Sequence, residues 1–251
     1  MKKLEVQSEM LGRAVLLLGE DTMKRISQTR VIIFGVGGVG SWCAESLVRT
    51  GIRHLTIVDN DIVCETNRNR QLMATSRTVG RVKVEAMRER LLELNPEAEI
   101  EAKAMVYNKE TAESFHLENY DFVIDAIDSL QDKAYLILHA TGIKRVTLFS
   151  SMGAALRVDP FMVRKAEFWK VKNDALARAL RNRFKRDKTF PSRKFQCVYS
   201  EEAALPNLGV TDEACPDNKA RVNGSLSHVT AIFGMSLAGM VIQQIKGMKE
   251  E

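Results

Sequence analysis

Val31-Ile32-Ile33-Phe34-Gly35-Val36-Gly37-Gly38-Val39-Gly40 is the stretch that decides the fold. Four apolar residues in a row suit a strand buried on both faces, the kind found in a parallel sheet covered by helices. The glycines then clear a turn of side chains, and residues 39–50 carry the pattern of a helix. Backbone N–H groups at the start of such a helix, with the positive end of its dipole, can receive a phosphate. A second strand over 53–58 leads to Asp59, where a carboxylate can accept hydrogen bonds from ribose hydroxyls. Gly35, Gly37 and Gly40 read first as a nicotinamide or flavin dinucleotide fingerprint. Gly38 is additional, and its missing Cβ lets backbone approach phosphate closely. No G-x-x-x-x-G-K-[ST] occurs, which excludes an ordinary P-loop.

The residues after Asp59 change the expected ligand. The segment from Asn60 to Gln71 is too polar for a buried strand, and it sets Asn67 and Arg70 three residues apart, on one side of a helical turn. A helix is expected over 79–94, with Val79, Val82, Ala86, Met87, Leu91 and Leu94 as its apolar stripe and Pro96 ending it. Lys83 falls one position off that stripe. An Arg and a Lys converging on the phosphate end exceed what a dinucleotide requires, but they suit a triphosphate that loses pyrophosphate. A further strand over 122–128 ends in Asp128. Strand ends on one edge share the ligand crevice, so Asp128 is a candidate magnesium ligand. The alternative is an N-cap for the helix that follows. Asp125, placed mid-strand, is the lesser candidate.

Gly35 to Gly40, Asp59, Thr66-Asn67-Arg68-Asn69-Arg70-Gln71, Thr78-Val79-Gly80-Arg81-Val82-Lys83 and Asp125-Ala126-Ile127-Asp128 together resemble the E1-like (ubiquitin-activating) adenylyltransferase superfamily. The resemblance implies that ATP binds and that a carboxylate attacks its α-phosphate, giving an acyl-adenylate and pyrophosphate. It implies that Gly38 contacts phosphate, Asp59 the ribose, Asn67, Arg70 and Lys83 the triphosphate, and Asp128 magnesium. Arg13 resembles the arginine that such enzymes insert into a partner subunit's ATP site, which implies a homodimer. A solvated surface arginine is the other reading of that short match.

Cys43, Cys64, Cys197 and Cys215 form no C-x-x-C, so a zinc site of the usual spacing is not expected. Cys43 reads as core packing, Cys64 as a loop thiol, and Cys215 as a loop position where a nucleophile can stand. Arg49-Thr50-Gly51-Ile52, the strand end at Ile124 to Ser129, and Cys197-Val198-Tyr199-Ser200-Glu201-Glu202 are similar to the tRNA threonylcarbamoyladenosine dehydratases, over nearly the whole chain. That resemblance implies a threonyl carboxylate on a modified adenosine as the activated acid. An internal nucleophile of the same base then closes a ring, with AMP leaving and no enzyme thioester. Residues 217–224 lack a cysteine that some relatives carry. A sulfur-carrier or ubiquitin-like protein whose C-terminus is activated is the alternative substrate. A sulfur-pathway protein partner and a monovalent cation that shapes the long loop stay open.

Charge is an independent signal. Residues 161–196 hold 12 basic side chains against Glu167, Asp174 and Asp187, net +9 in a chain of net +5, so the remainder is net −4. A helix over 173–188 turns Leu176, Ala179, Leu180 and Phe184 inward and basic residues outward. Lys172, Arg178, Arg181, Arg183, Lys185 and Arg186 are the candidate tRNA-backbone contacts. Phe168, Trp169, Phe190 and Phe195 lie among the charges, where exposed rings can stack on loop bases, with core packing the expected role for at least two of them.

The alternation of strands and helices over 31–150 predicts an α/β, Rossmann-like, doubly wound and mostly parallel sheet with an antiparallel extension. One E1-like domain of 251 residues is expected: a helical arm over 1–30, a nucleotide-binding core over 31–151, and an extension over 152–251. The extension starts with short strands over 154–158 and 161–163. A long loop over 201–223 crosses toward the site, and a last helix over 225–246 reads as a core or dimer helix, too short and broken to span a bilayer. No signal-peptide pattern opens the chain, and few cysteines without a disulfide pattern suggest a reducing cytoplasm.

Overall fold

The computed structural model of the chain describes residues 9–208 and 223–248. Its sheet is built around β1 (Arg30–Phe34), buried from Val31 onward. Val31 and Ile33 point into one hydrophobic core, and Ile32 and Phe34 into another on the opposite face. That is the period of two that a strand imposes on its side chains. β2 (His54–Val58) and β3 (Glu99–Lys103) lie on one side of β1. β4 (Phe122–Asp125), β5 (Thr147–Ser151) and β7 (Gln196–Ser200) lie on the other, all parallel. β6 (Val163–Glu167) runs antiparallel along β7, completing the order β3-β2-β1-β4-β5-β7-β6. The order reverses between β1 and β4, so a crevice opens at the carboxyl ends of these strands. Phe34 is in register with both Val58 and Asp125, which brings Gly35, Asp59 and the 126–128 turn to one level.

α1 (Gly12–Leu18), α2 (Glu20–Gln28), α3 (Gly40–Arg49), α4 (Lys83–Leu94) and α7 (Ser227–Gly247) cover the first core. α5 (Leu130–Gly142) and α6 (Ala175–Arg186) cover the second. α7 has 21 residues and is long and apolar enough to cross a membrane by length and composition, so the expectation that it is too short fails. It is a core helix, with Val229, Phe233, Leu237, Val241 and Ile245 buried and Gly234 pressed on the start of α3. A Cβ at Gly234 would lie 2.3 Å from Val39 O.

Several boundaries differ from expectation. α4 starts at Lys83, because Gly80 takes a left-handed φ of 86° and Val82 is extended, leaving Val79 exposed. β4 ends at Asp125, so Ala126 to Asp128 form a turn. β3 was not expected. Its Glu-Ile-Glu-Ala-Lys run buries only Ile100 fully, as an edge strand does, and shows no continuous apolar signal. Residues 154–158 form a loop. At 160–162 a 3-10 turn stands in place of a strand, with Asp159 accepting from Phe161 N and Pro160 lacking a donor, and β6 begins only at Val163. Phe168 and Phe195 stack at 5.0 Å in the second core, whereas Trp169 and Phe190 are exposed and 6.3 Å apart.

Candidate adenylylation site

A cavity of about 640 Å³ lies at the carboxyl ends of the strands. Gly35, Gly37, Gly38, Asp59, Asn67, Arg70, Lys83 and Asp128 all line it. Gly40 does not. A Cβ there would fall 1.8 Å from Gly35 O, so this glycine lets the helix start fold back against the strand end. Gly35 needs its φ of 88° and lies under the 126–127 turn, where a Cβ would meet Ala126 O at 2.6 Å.

Asp59 ties the second strand to the glycine turn. Oδ2 accepts from Val36 N at 2.7 Å, and Oδ1 accepts from Asp61 N at 2.9 Å. Burial pushes its carboxyl above the usual carboxylate range, against the pull of Lys83 and the two backbone donors. Each oxygen keeps a second lone pair for another donor. Lys83, 5% exposed at the first turn of α4, donates from Nζ to Asp61 Oδ2 at 2.7 Å. The lysine reaches the cavity because α4 begins there and not at Val79.

The polar segment after Asp59 folds into a 3-10 turn, Glu65–Asn67. The Asn67 side chain accepts from Cys64 N at 3.0 Å, and Arg70 Nη1 donates to Thr66 O and Asn69 Oδ1. Trp42 Nε1 donates to Arg70 O at 3.1 Å, which anchors the segment to α3. Arg70 Cγ and Thr230 then lie 3.2 Å from the place of a Cβ on Gly38. Asp128 is exposed at the cavity rim. Ser129, not Asp128, is the N-cap of α5, its Oγ accepting from Asp132 N. Asp125 is fully buried and paired with Lys133. The donors and cations at one end of the cavity can neutralise an anionic chain, while Phe34, Val58, Met105, Val106 and Ile127 offer an apolar wall to a flat base.

Sequence reasoning gave no role to several lining residues. Gln71 is 6% exposed with an unpartnered Oε1, and its only signal was membership of the polar segment. Met105 to Tyr107 follow the unexpected β3. Tyr107 Oη lies 2.8 Å from His139 Nδ1, and burial pushes this phenol above its ordinary range. Met152 to Arg157, with Asp174, form the wall beyond β5.

The remaining candidates lie elsewhere. Arg13 is exposed on α1, beside Leu16 and Leu17 at 89% and 79% exposure. Lys172, Arg178, Lys185 and Arg186 are exposed, and Arg183 pairs with Asp187. Arg181 does not face solvent as expected. Its Nη1 donates to Phe168 O and Val171 O, both at 3.1 Å, and its guanidinium lies over the Phe168 ring, so it braces its own chain. Cys43 and Cys197 are buried, and burial raises both thiols. No cysteine among the described residues lines the cavity, and Cys215 lies outside them. No cluster of metal-ligating side chains occurs among the described residues.

A model of the ThiF family matches residues 11–251. The chain is similar to the tRNA threonylcarbamoyladenosine dehydratase of Haemophilus influenzae, 33% identical over 98% of this chain and 96% of the relative. Crystal structures of the Escherichia coli tRNA N6-threonylcarbamoyladenosine dehydratase in complex with AMP and with ATP superpose with TM-scores of 0.85 and 0.83. Both are 32% identical, with 96% of each chain covered. An adenylyltransferase and sulfurtransferase, MOCS3 of Drosophila willistoni, is 35% identical over 54% of this chain and 29% of its own length.

Proposed function

The chain belongs to the ThiF family, and from that premise we propose that it is an ATP-dependent tRNA threonylcarbamoyladenosine dehydratase. The observation that carries the reading is one cavity lined by Gly37, Gly38, Asp59, Asn67, Arg70, Lys83 and Asp128, in a chain similar end to end to such dehydratases. The threonyl carboxylate attacks the α-phosphorus of ATP. A bond forms from carboxylate oxygen to phosphorus, the bond to pyrophosphate breaks, and an acyl-adenylate results. An internal nucleophile of the same base then attacks the acyl carbon, AMP leaves, a proton is released, and the ring closes with net loss of water.

In this reading the N–H groups of Gly37 and Gly38 meet phosphate, and Asp59 takes the ribose hydroxyls on its remaining lone pairs. Asn67, Arg70 and Lys83 hold the triphosphate. Lys83 is held by Asp61 at the cavity wall, so its charge stands ready as the pyrophosphate leaves. Magnesium fits this site through Asp128, because that ion is commonly held by one or two carboxylates plus phosphate oxygens. When bound, it would neutralise charge on the phosphates. Arg13 of a second copy would complete the site, and the exposed Leu16 and Leu17 beside it suit a homodimer contact. The exposed basic residues of α6, with Trp169 and Phe190 near them, would receive the tRNA, and the enzyme would work in the cytoplasm.

Activation of a sulfur-carrier C-terminus has weaker support, since the adenylyltransferase-sulfurtransferase similarity spans about half the chain and no described thiol lines the cavity. The test is nucleoside mass spectrometry of tRNA incubated with ATP, with and without the protein. A nucleoside lighter by one water, with pyrophosphate release dependent on modified tRNA, is expected. Pyrophosphate exchange triggered by a carrier protein, with tRNA inert, would refute it.

A further inference from the structure

Arg157 lies on the loop that leaves β5 and lines the cavity, yet it is only 4% exposed. Nη2 donates to Asn173 O at 2.9 Å. Nε and Nη1 are buried and meet no acceptor among the described residues. A guanidinium stays charged at any relevant pH, so dry, unmatched donors are costly and call for an anion. Arg25 also has a buried Nε without a partner, but it does not line the cavity, and the other inward-turned arginines are matched. Arg181 is held by two carbonyls, and Arg193 by the carbonyls that end α5.

The surroundings fix the group. Asp174 Oδ2 accepts from Gly153 N at 2.9 Å, and Oδ1 accepts from Ala177 N at 2.7 Å, so this carboxylate ties the loop to α6, and it forms neither a hydrogen bond nor an ion pair with Arg157, whose one acceptor among the described residues is Asn173 O. A Cβ on Gly153 would stand 3.2 Å from Asp174 Oδ2. Asn173 holds a left-handed φ of 53° and donates from Nδ2 to Glu201 O, which sets the carbonyl that grips Arg157. Gly37, Gly38, Asp59 and Lys83 all come from the β1-to-α4 half of the fold. Arg157 comes from the half beyond β4, across the point where strand order reverses. On the dehydratase reading the first half, with Asp128 at the end of β4, takes the nucleotide, which leaves the wall beyond β5 to the other reactant.

Resting on the dehydratase reading, we propose that Arg157 binds the carboxylate that is to be adenylylated. A guanidinium matches a carboxylate oxygen for oxygen. Each oxygen has a lone pair left after accepting from Arg157, so one can form the bond to the α-phosphorus while pyrophosphate departs. Arg157 gives up no proton. The carbonyl oxygen of the acyl-adenylate stays hydrogen-bonded to it, which draws charge from the acyl carbon that the internal nucleophile attacks.

The experiment measures Arg157→Gln and Arg157→Lys in the full chain against wild type. It compares ATP affinity, turnover, and binding of one tRNA with the threonylcarbamoyl group and with plain adenosine at that place. Wild type is expected to prefer the modified tRNA, and Arg157→Gln to lose that preference, with KM for modified tRNA raised on the order of 10–100-fold and ATP affinity unchanged. If the Gln variant does not fold, Arg157→Lys retains the charge without the fork and is expected to raise the same KM about tenfold. Equal weakening toward both tRNAs would make the anion a backbone phosphate, and weakened ATP binding would make it the nucleotide. Either result, or an unchanged KM, overturns the proposal. A wild type that neither prefers nor converts the modified tRNA refutes the dehydratase reading itself, and this inference with it.

Discussion

Lys133→Met removes an ammonium that lies wholly inside the protein. Lys133 and Asp125 side chains are both 0% exposed, with Nζ 2.8 Å from Oδ2. The same ammonium donates to Ile127 O at 3.0 Å. Asp125 also accepts from Ser150 Oγ at 2.6 Å and from Ile127 N at 3.2 Å. Methionine fills most of the stem's volume, so the loss is chiefly of charge, leaving a buried carboxylate with one hydroxyl and one amide. Deleting one partner of a buried pair costs about 3–5 kcal/mol. With a urea dependence of about 2–3 kcal/mol per molar, the unfolding midpoint should fall by about 1.5 M. The intact pair need not be strongly stabilising, because both charges are desolvated. Asp125→Asn with Lys133→Met should therefore recover at least half of the loss. Urea unfolding of wild type, both single variants and the double variant, followed by circular dichroism, measures this. A single-variant loss under about 1 kcal/mol, or a double variant as unstable as the two losses summed, would refute the argument. Ile127 is tied at both its N–H and its C=O by this pair, so the turn that carries Asp128 should lose definition in Lys133→Met, and turnover should fall while the protein is still folded.

Two glycines that are close in sequence should behave differently. Gly40→Ala sets a Cβ 1.8 Å from backbone and should cost about 3 kcal/mol or more in thermal unfolding, whereas Gly38→Ala meets only side chains at 3.2 Å and should fold while weakening ATP binding in calorimetric titration. A Gly38→Ala protein with native ATP affinity would remove that residue from the phosphate site. Ionised Asp59 accepts from ribose hydroxyls more strongly than its acid form does, and burial raises its pKa, so on acidification ATP affinity should fall at a higher pH than an ordinary carboxylate near 3.9 would cause. For the empty protein the sign is opposite: a raised carboxyl favours the folded state below its unfolded value, and that contribution is lost as pH rises through the folded one. A profile that follows the ordinary value in titrations from acid to neutral pH would rule out a ribose role for Asp59. Replacing Lys172, Arg178 and Lys185 together by Ala should leave stability within about 0.5 kcal/mol. It should lower the slope of log affinity for tRNA against log salt by about 2 to 3. An unchanged slope would place the tRNA elsewhere.

The first half of the sheet was readable because each element there announces itself. Val31 to Phe34 is short, rich in β-branched residues and closed by glycines, which marks a buried strand over a helix, Gly35 to Gly40 turn, and Asp59 follows the next apolar run. β3 escaped because Glu99, Glu101 and Lys103 face solvent on an edge, so strand pairing, not apolar content, holds it there. The apolar stripe sets the start of α4 four residues early because Val79 fits it, and the left-handed Gly80 outweighs that fit. Arg181 could not be told from Arg178 in sequence. Only the proximity of the Phe168 and Val171 carbonyls separates a brace from a surface charge.

The same contrast explains why Arg157 left no mark in the sequence. On the first half Gly37, Gly38, Asp59 and Lys83 stand at a strand end or helix start, and Asn67 and Arg70 lie in a polar segment that composition alone singles out. Arg157 is six residues past the end of β5, in a loop whose shape depends on Asp174 and Asn173, which precede a helix some twenty residues on. Its role is set by contacts across the fold, and so is that of Lys133, which reaches back from α5 to the end of β4. The nucleotide half of such a fold therefore carries local motifs. The half proposed to meet the second reactant is built from long-range polar contacts, and in this chain it holds a buried guanidinium with unmatched donors. That division follows from what each ligand offers. A triphosphate can be received by backbone amides and a few cations at the ends of adjacent strands, whereas a single carboxylate must be fixed by a fork whose own position is over-determined.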